Sequence, residues 1–167
     1  MKKTSLFLLI MLSNCINPQD TGNKGQVVKT MASTITKKFS GAPQLTIEAY
    51  IKDKSHYILV DVRSKDERAV SQIPGALSKE DFEKNRENFR GKKILSYCTI
   101  GQRSSEYTQG LIKAGFDAFN LSESILGWTH RQLPLIDSLG KPTKKVHVYS
   151  KAWNLVDDKY QGVWEKR

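Results

Sequence analysis

Cys98 and Arg103 are the residues of this 167-residue chain whose types and spacing point to chemistry. They bracket Cys98-Thr99-Ile100-Gly101-Gln102-Arg103-Ser104, which follows the apolar Ile94-Leu95 and precedes a segment of helical periodicity. The pattern predicts a strand, a tight loop and a helix start, with Cys98 at the end of the strand and Arg103 where the helix begins. Successive backbone N–H groups of such a loop can converge on one centre, and the helix dipole adds partial positive charge there. A thiolate or a bound anion is stabilised at that centre, which makes Cys98 a candidate nucleophile and Thr99, Ile100, Gly101, Gln102, Arg103 and Ser104 a candidate anion-binding loop. An isolated cysteine closing a strand reads more readily as a small buried hydrophobe. Its neighbours change that reading.

The elements that must position the loop follow from periodicity. Residues 45–51 suit a short helix, and the continuous apolar Tyr57-Ile58-Leu59-Val60 is short enough for a buried parallel strand. Asp61 and Arg63 follow at its end, where polar residues meet ligands in open α/β sheets. A short helix is expected over 64–70, and Ile73-Pro74-Gly75-Ala76 reads as extended because proline disfavours helix in the residue before it. Over 79–90, Phe82 and Phe89 sit at helical spacing and can anchor a basic, solvated helix on the sheet. After the loop, Ser104, Tyr107, Thr108, Leu111, Ile112 and Gly115 recur on one helical face, with Gly115 suited to the helix end. Another strand runs to Leu121, and Ile125-Leu126-Gly127-Trp128 begins a closing element in which Trp128 belongs to the core. Alternating strands and helices argue for an α/β sandwich with a mostly parallel sheet.

Three blocks resemble the rhodanese-like sulfurtransferases. Cys98 to Ser104 reads as that family's C-x-x-G-x-R-S loop. Leu59-Val60-Asp61-Val62-Arg63, with Glu67 and Ile73-Pro74-Gly75-Ala76, is similar to its D-V-R…E…H-I-P-G-A block. Leu111, Gly115-Phe116, Leu121 and Ile125-Leu126-Gly127-Trp128 are similar to its closing pattern. Gln72 stands where the family usually has His, and Ser122-Glu123-Ser124 replaces E-G-G, departures that bear on tuning or partner choice. The resemblance implies a three-layer sandwich, a mostly parallel central sheet flanked by helices. It gives Asp61 and Arg63 a structural part, bonding across the loops of the site's rim.

It also implies sulfane-sulfur transfer: a Cys98 persulfide filled by a small sulfur-containing anion and emptied by a thiol, a protein thiol included, or by cyanide. Loop amides would cradle the anion, Arg103 would offer a donor fork to an oxyanion or the loop backbone, and Ser104 would orient either. No metal or organic cofactor is implied. A related branch of the fold consists of phosphatases with C-x5-R. The C-x4-R loop here is smaller, and Glu106, past the first helical turn and facing solvent, is not placed as a general acid. A non-catalytic binding module at the membrane surface is the rival from another class, against which the intact Cys98 and Arg103 stand.

Composition bounds the rest. A hydrophobic fraction of 38% and a charged fraction of 26% fit one globular domain with extensions, not a polytopic membrane protein. The net charge of +10 favours anionic partners or surfaces, yet no nucleic-acid-binding signature accompanies it, and no nucleic acid is expected. Residues 1–15 carry Lys2-Lys3, the apolar Leu6-Phe7-Leu8-Leu9-Ile10-Met11-Leu12 and a cysteine, the order of an export signal. Leu12-Ser13-Asn14-Cys15 is similar to a bacterial lipobox with an unusual Asn14, and makes Cys15 a lipidation site at the cell envelope. Simple secretion is the alternative. A lipidated or removed Cys15 leaves Cys98 without a disulfide partner. Residues 16–41 read as a flexible tether, 42–134 as the rhodanese-like domain, and 135–167 as an extension packed on it through Val146-His147-Val148-Tyr149, Trp153, Tyr160 and Trp164.

Overall fold

A computed structural model describes residues 23–164. Its centre is a five-stranded, all-parallel sheet of β1 (Gln44–Leu45), β2 (Tyr57–Asp61), β3 (Leu77–Ser78), β4 (Lys93–Tyr97) and β5 (Asp117–Leu121), in the order β1-β5-β4-β2-β3. The register sets Leu59 beside Leu95 and Leu95 beside Phe119. Successive strand side chains face opposite ways, so the sheet divides the core in two. Leu59, Leu95 and Phe119 pack on one face with α2 (Ile47–Lys52), α6 (Ser124–His130) and residues of the C-terminal extension. Val60, Ile94 and Ala118 pack on the other, with Phe82 of α4 (Lys79–Asn85) and Leu111 of α5 (Gln102–Lys113). The result is the expected three-layer α/β sandwich, and Trp128 lies in its core at 5% exposure.

Local signals explain the boundaries. Ser64 and Glu67 form a reciprocal capping box that starts α3 (Lys65–Val70). Thr46 and Ser78 each accept an N–H of the first turn of α2 and α4. Gly115, at φ +82°, follows the end of α5 in the left-handed conformation that a side chain disfavours.

Three expectations are corrected. The tether assigned to 16–41 does not hold over its second half, where Lys24–Lys38 forms α1. Val28, Met31, Ala32 and Ile35 recur at helical spacing, and burying Val28 and Ala32 on the core outweighs a polar composition without strong caps. Ile112, expected on the packed face of α5, is exposed near the end of the helix, while Ser105 is buried. Pro74-Gly75 forms a turn rather than an extended run, with Gly75 at φ +82°. The export signal and Cys15 lie outside the described residues.

The extension continues the fold. Leu135, Val146, Val148, Val156 and Tyr160 are buried in the core shared with α1 and α6. Gln72 exchanges backbone hydrogen bonds with Ile136, at 2.8 and 3.1 Å, so the residue that replaces the family's His helps dock this segment. A small two-stranded parallel sheet joins β6 (Lys145–His147) to β7 (Gln161–Val163). Trp153, expected to pin the segment down, is instead exposed.

Candidate active site

The C-terminal ends of β2 and β4 lie side by side, and their loops carry the chemistry. Cys98 follows β4 directly and is 1% exposed. The Gly101 N–H donates to its Sγ at 3.1 Å, so the loop does turn a backbone donor onto the sulfur. Gly101 holds φ +115°, and a Cβ there would meet Asn120 Nδ2 at 3.3 Å; the turn needs glycine for both reasons. From the far side, Ile125 and Leu126 of α6 donate their N–H groups to the Cys98 and Thr99 carbonyls at 3.2 and 3.1 Å. Ser124 Oγ accepts the Cys98 N–H at 3.2 Å. The loop is therefore fixed from both ends.

Of the two acceptors expected for Arg103, an oxyanion or the loop backbone, the structure bears on the second. Its guanidinium does not reach the loop backbone: Nη1 and Nη2 each donate to Glu67 at 2.7 Å, and Nη2 also donates to Thr99 Oγ1 at 3.1 Å. A buried carboxylate matched to the guanidinium plane is the strongest available acceptor for such a fork. Burial by itself would raise the Glu67 carboxyl, but the Arg103 bonds, the Ser64 N–H and the charges of Arg103 and Arg63 outweigh it and hold it down to about 2. Burial opposes charge on Arg103 as well, and Glu67, then Cys98 and Tyr149, more than restore it, raising its pKa. The site thus keeps a fixed cation whose field includes the Cys98 sulfur.

The other candidates fall in two groups. Thr99 turns its hydroxyl to the Glu67–Arg103 pair, donating to Glu67 at 3.3 Å, while Ile100 is 8% exposed beside the sulfur's loop. Gln102 is exposed on the first turn of α5. Ser104 is fully buried and its hydroxyl finds no hydrogen-bond partner among the described residues, neither Arg103 nor the loop. Asp61 and Arg63 form a sealed pair: Arg63 Nε and Nη2 donate to the carboxylate at 3.0 and 2.7 Å, and Nη2 also donates to the Ser71 carbonyl at 2.6 Å. Tyr97 donates to the same carboxylate at 2.6 Å and accepts the Ile73 N–H at 3.0 Å. This lattice ties the ends of β2 and β4 to the loop before β3, a bracing role.

Three residues outside the sequence candidates touch the site. Glu67 lies within the resembling block and is legible locally as the acid of a Ser-x-x-Glu capping box, but its bond to Arg103, 36 residues away, has no sequence signal. Ser124 occupies a position of the family's glycine pair, and with Glu123 takes left-handed φ angles of 50° and 61°. Such strain in non-glycine residues marks a constrained turn, here the one presenting Ser124 Oγ to the loop. Tyr149, from the extension, lies over Arg103 with the guanidinium carbon 5.4 Å from its ring centre.

A parallel α/β sandwich with a cysteine loop at the strand ends defines a class of protein, and comparison names it. The family Rhodanese, described as the Rhodanese-like domain, matches residues 46–131, more than half of the chain. The chain belongs to that family. A tRNA uridine(34) hydroxylase of Cytophaga hutchinsonii is 31% identical over 85 residues, covering 46% of this chain and 27% of that protein. This chain thus spans about a quarter of the curated relative it matches. Among solved structures, a thiosulfate sulfurtransferase from Pseudomonas aeruginosa superposes with a TM-score of 0.53 at 20% identity, covering 77% of this chain and 26% of that one. A rhodanese-related protein from Thermoplasma volcanium gives a TM-score of 0.51 at 18% identity, covering 56% and 97% respectively. These likenesses show the fold.

Proposed function

We propose that this protein transfers sulfane sulfur through a persulfide on Cys98. The Cys98 thiolate attacks the outer sulfur of a thiosulfate-like anion; the S–S bond of the donor breaks, its electron pair leaves with sulfite, and Cys98 keeps a persulfide. A thiolate or cyanide then attacks the terminal sulfur and returns Cys98 as thiolate. Atoms and charge balance without an external oxidant, and the Gly101 N–H aimed at Sγ is the observation that carries the reading. That donor stabilises negative charge on the sulfur before attack and after release. Arg103, held by Glu67, contributes a positive field rather than a free fork. Four residues separate Cys98 from Arg103, which leaves little room for a phosphoryl group with three equatorial oxygens.

The test is thiosulfate turnover with cyanide or a thiol as acceptor. Wild type should form thiocyanate or sulfide, acquire one sulfur atom per chain on thiosulfate alone, and leave aryl phosphates intact. Cys98→Ser should lose transfer and sulfur uptake with the fold retained; transfer that survives in Cys98→Ser sinks the reaction.

The site of action we propose is the cell envelope, from the order of basic, apolar and cysteine residues in 1–15. A diacylglycerol on Cys15, together with further acylation, would hold the chain far more firmly than a single acyl chain. Cys15→Ala should then move the protein from the membrane to the soluble fraction, and membrane association unchanged by the substitution rules out the anchor.

A further inference from the structure

The extension brings to the site a side chain that the matched family region, which ends at residue 131, does not contain. Val146 and Val148 are fully buried, and the Val148 N–H donates to the Val163 carbonyl at 2.8 Å, so this stretch is anchored in the core. Alternation along extended chain then turns Tyr149 outward, at 57% exposure. The ring has two neighbours. It stacks over the Arg103 guanidinium on one side, and Trp153 meets it edge-on with centroids 6.3 Å apart. Partial burial raises the Tyr149 phenol; Arg103 opposes this, and the charges of Glu67 and Cys98 reinforce it. Cys98 itself is almost closed off, with Thr99 and Ile100 at 2% and 8% exposure beside it. A reactant must therefore pass what borders the loop from outside.

We propose that Tyr149 is the specificity-determining residue of this site, a wall that admits slender sulfur anions and thiols and rejects those whose sulfur is flanked by bulky groups. The substrates named rest on the sulfur-transfer reading above; the wall itself can be tested without it. Its basis is an aromatic ring placed over Arg103, at the end of the loop that carries the buried nucleophile, by a segment that lies outside the matched family region and packs on the helix carrying Glu67.

The experiment compares the rates at which iodoacetamide and a bulky N-aryl maleimide modify Cys98 in the full-length protein, read by peptide mapping so that Cys15 does not contribute. Tyr149→Ala should raise the maleimide rate about tenfold more than the iodoacetamide rate, while Tyr149→Phe, which keeps the ring, should retain the wild-type ratio. Equal acceleration of both reagents would mean general loosening and would overturn the proposal, as would an unchanged ratio in Tyr149→Ala or an equal shift in Tyr149→Phe. The same variants are then given thiosulfate and an arenethiosulfonate, whose outer sulfur is transferred with release of sulfite or an arenesulfinate. Tyr149→Ala should shift kcat/KM toward the arenethiosulfonate, and an unshifted preference counts against the wall. Wild type that shows the size-selective alkylation but transfers no sulfur would end the reaction proposed above while supporting the wall.

Discussion

Two carboxylate–arginine pairs stand at the ends of neighbouring elements, alike in chemistry and opposite in surroundings. Asp61 and Arg63 are both at 0% side-chain exposure, two residues apart, and share their bonds with Tyr97 and the Ser71 carbonyl. Glu67 and Arg103 are 36 residues apart; the carboxylate is at 7% and the guanidinium at 34% exposure, beside the cysteine loop. The sealed pair has no access to a reactant, so its charges serve only to brace strand ends. Where the guanidinium of the pair is partly open to solvent, the same chemistry fixes a cation beside the cysteine loop. Exposure, not residue type, separates the two pairs.

Breaking the sealed pair should have the largest effect on stability. Arg63→Met leaves Asp61 buried and uncompensated, at a cost of about 3–5 kcal/mol. A urea titration should show the midpoint falling with the slope unchanged. A loss under about 1 kcal/mol would mean that Tyr97 and the backbone suffice to hold Asp61, and the distinction between the pairs would fail.

Glu67→Gln sharpens the contrast from the other side. The half-exposed Arg103 can turn to water, so the stability loss should be smaller, about 1–2 kcal/mol, while sulfur-transfer activity falls because the loop and its cation lose their anchor. Acid should reveal the same pair. Glu67 is held down to about 2 when folded, against an ordinary value of 4.5, so its contribution is complete above about pH 4.5 and is lost as pH falls toward 2. In urea titrations across that window, Glu67→Gln should show a shallower loss of stability than wild type. Parallel curves would show that the carboxylate's pairing does not contribute.

Much of the architecture was legible. The run Tyr57 to Val60, the segment ending at Leu121 and the helical face through Thr108 and Leu111 announce an alternating α/β fold because burial on both faces of a parallel sheet imposes continuous apolar strands. The cysteine loop was legible for a different reason: its donor and turn glycine are one residue, Gly101, only three positions from the nucleophile, so sequence spacing is spatial spacing. Helix α1 carried a readable signal in Val28, Met31, Ala32 and Ile35, masked by its Thr, Ser and Lys neighbours. Ser104 was misjudged because one residue of helix rotation decides whether a hydroxyl meets the loop or the interior.

What the sequence determined alone is the set of local devices: the Cys98-to-Arg103 loop, the Ser64–Glu67 capping box and the periods that sort strands from helices, all governed by contacts a few residues apart. The partners of those devices were decided by the tertiary structure. Glu67 meets Arg103 because β2 and β4 are adjacent and parallel, which brings their following loops to one edge. Tyr149 meets Arg103 because Val146 and Val148 bury against the same core from a segment outside the family match. Such encounters depend on the order of strands and on which surfaces remain to be covered, and neither is encoded in the spacing of nearby residues.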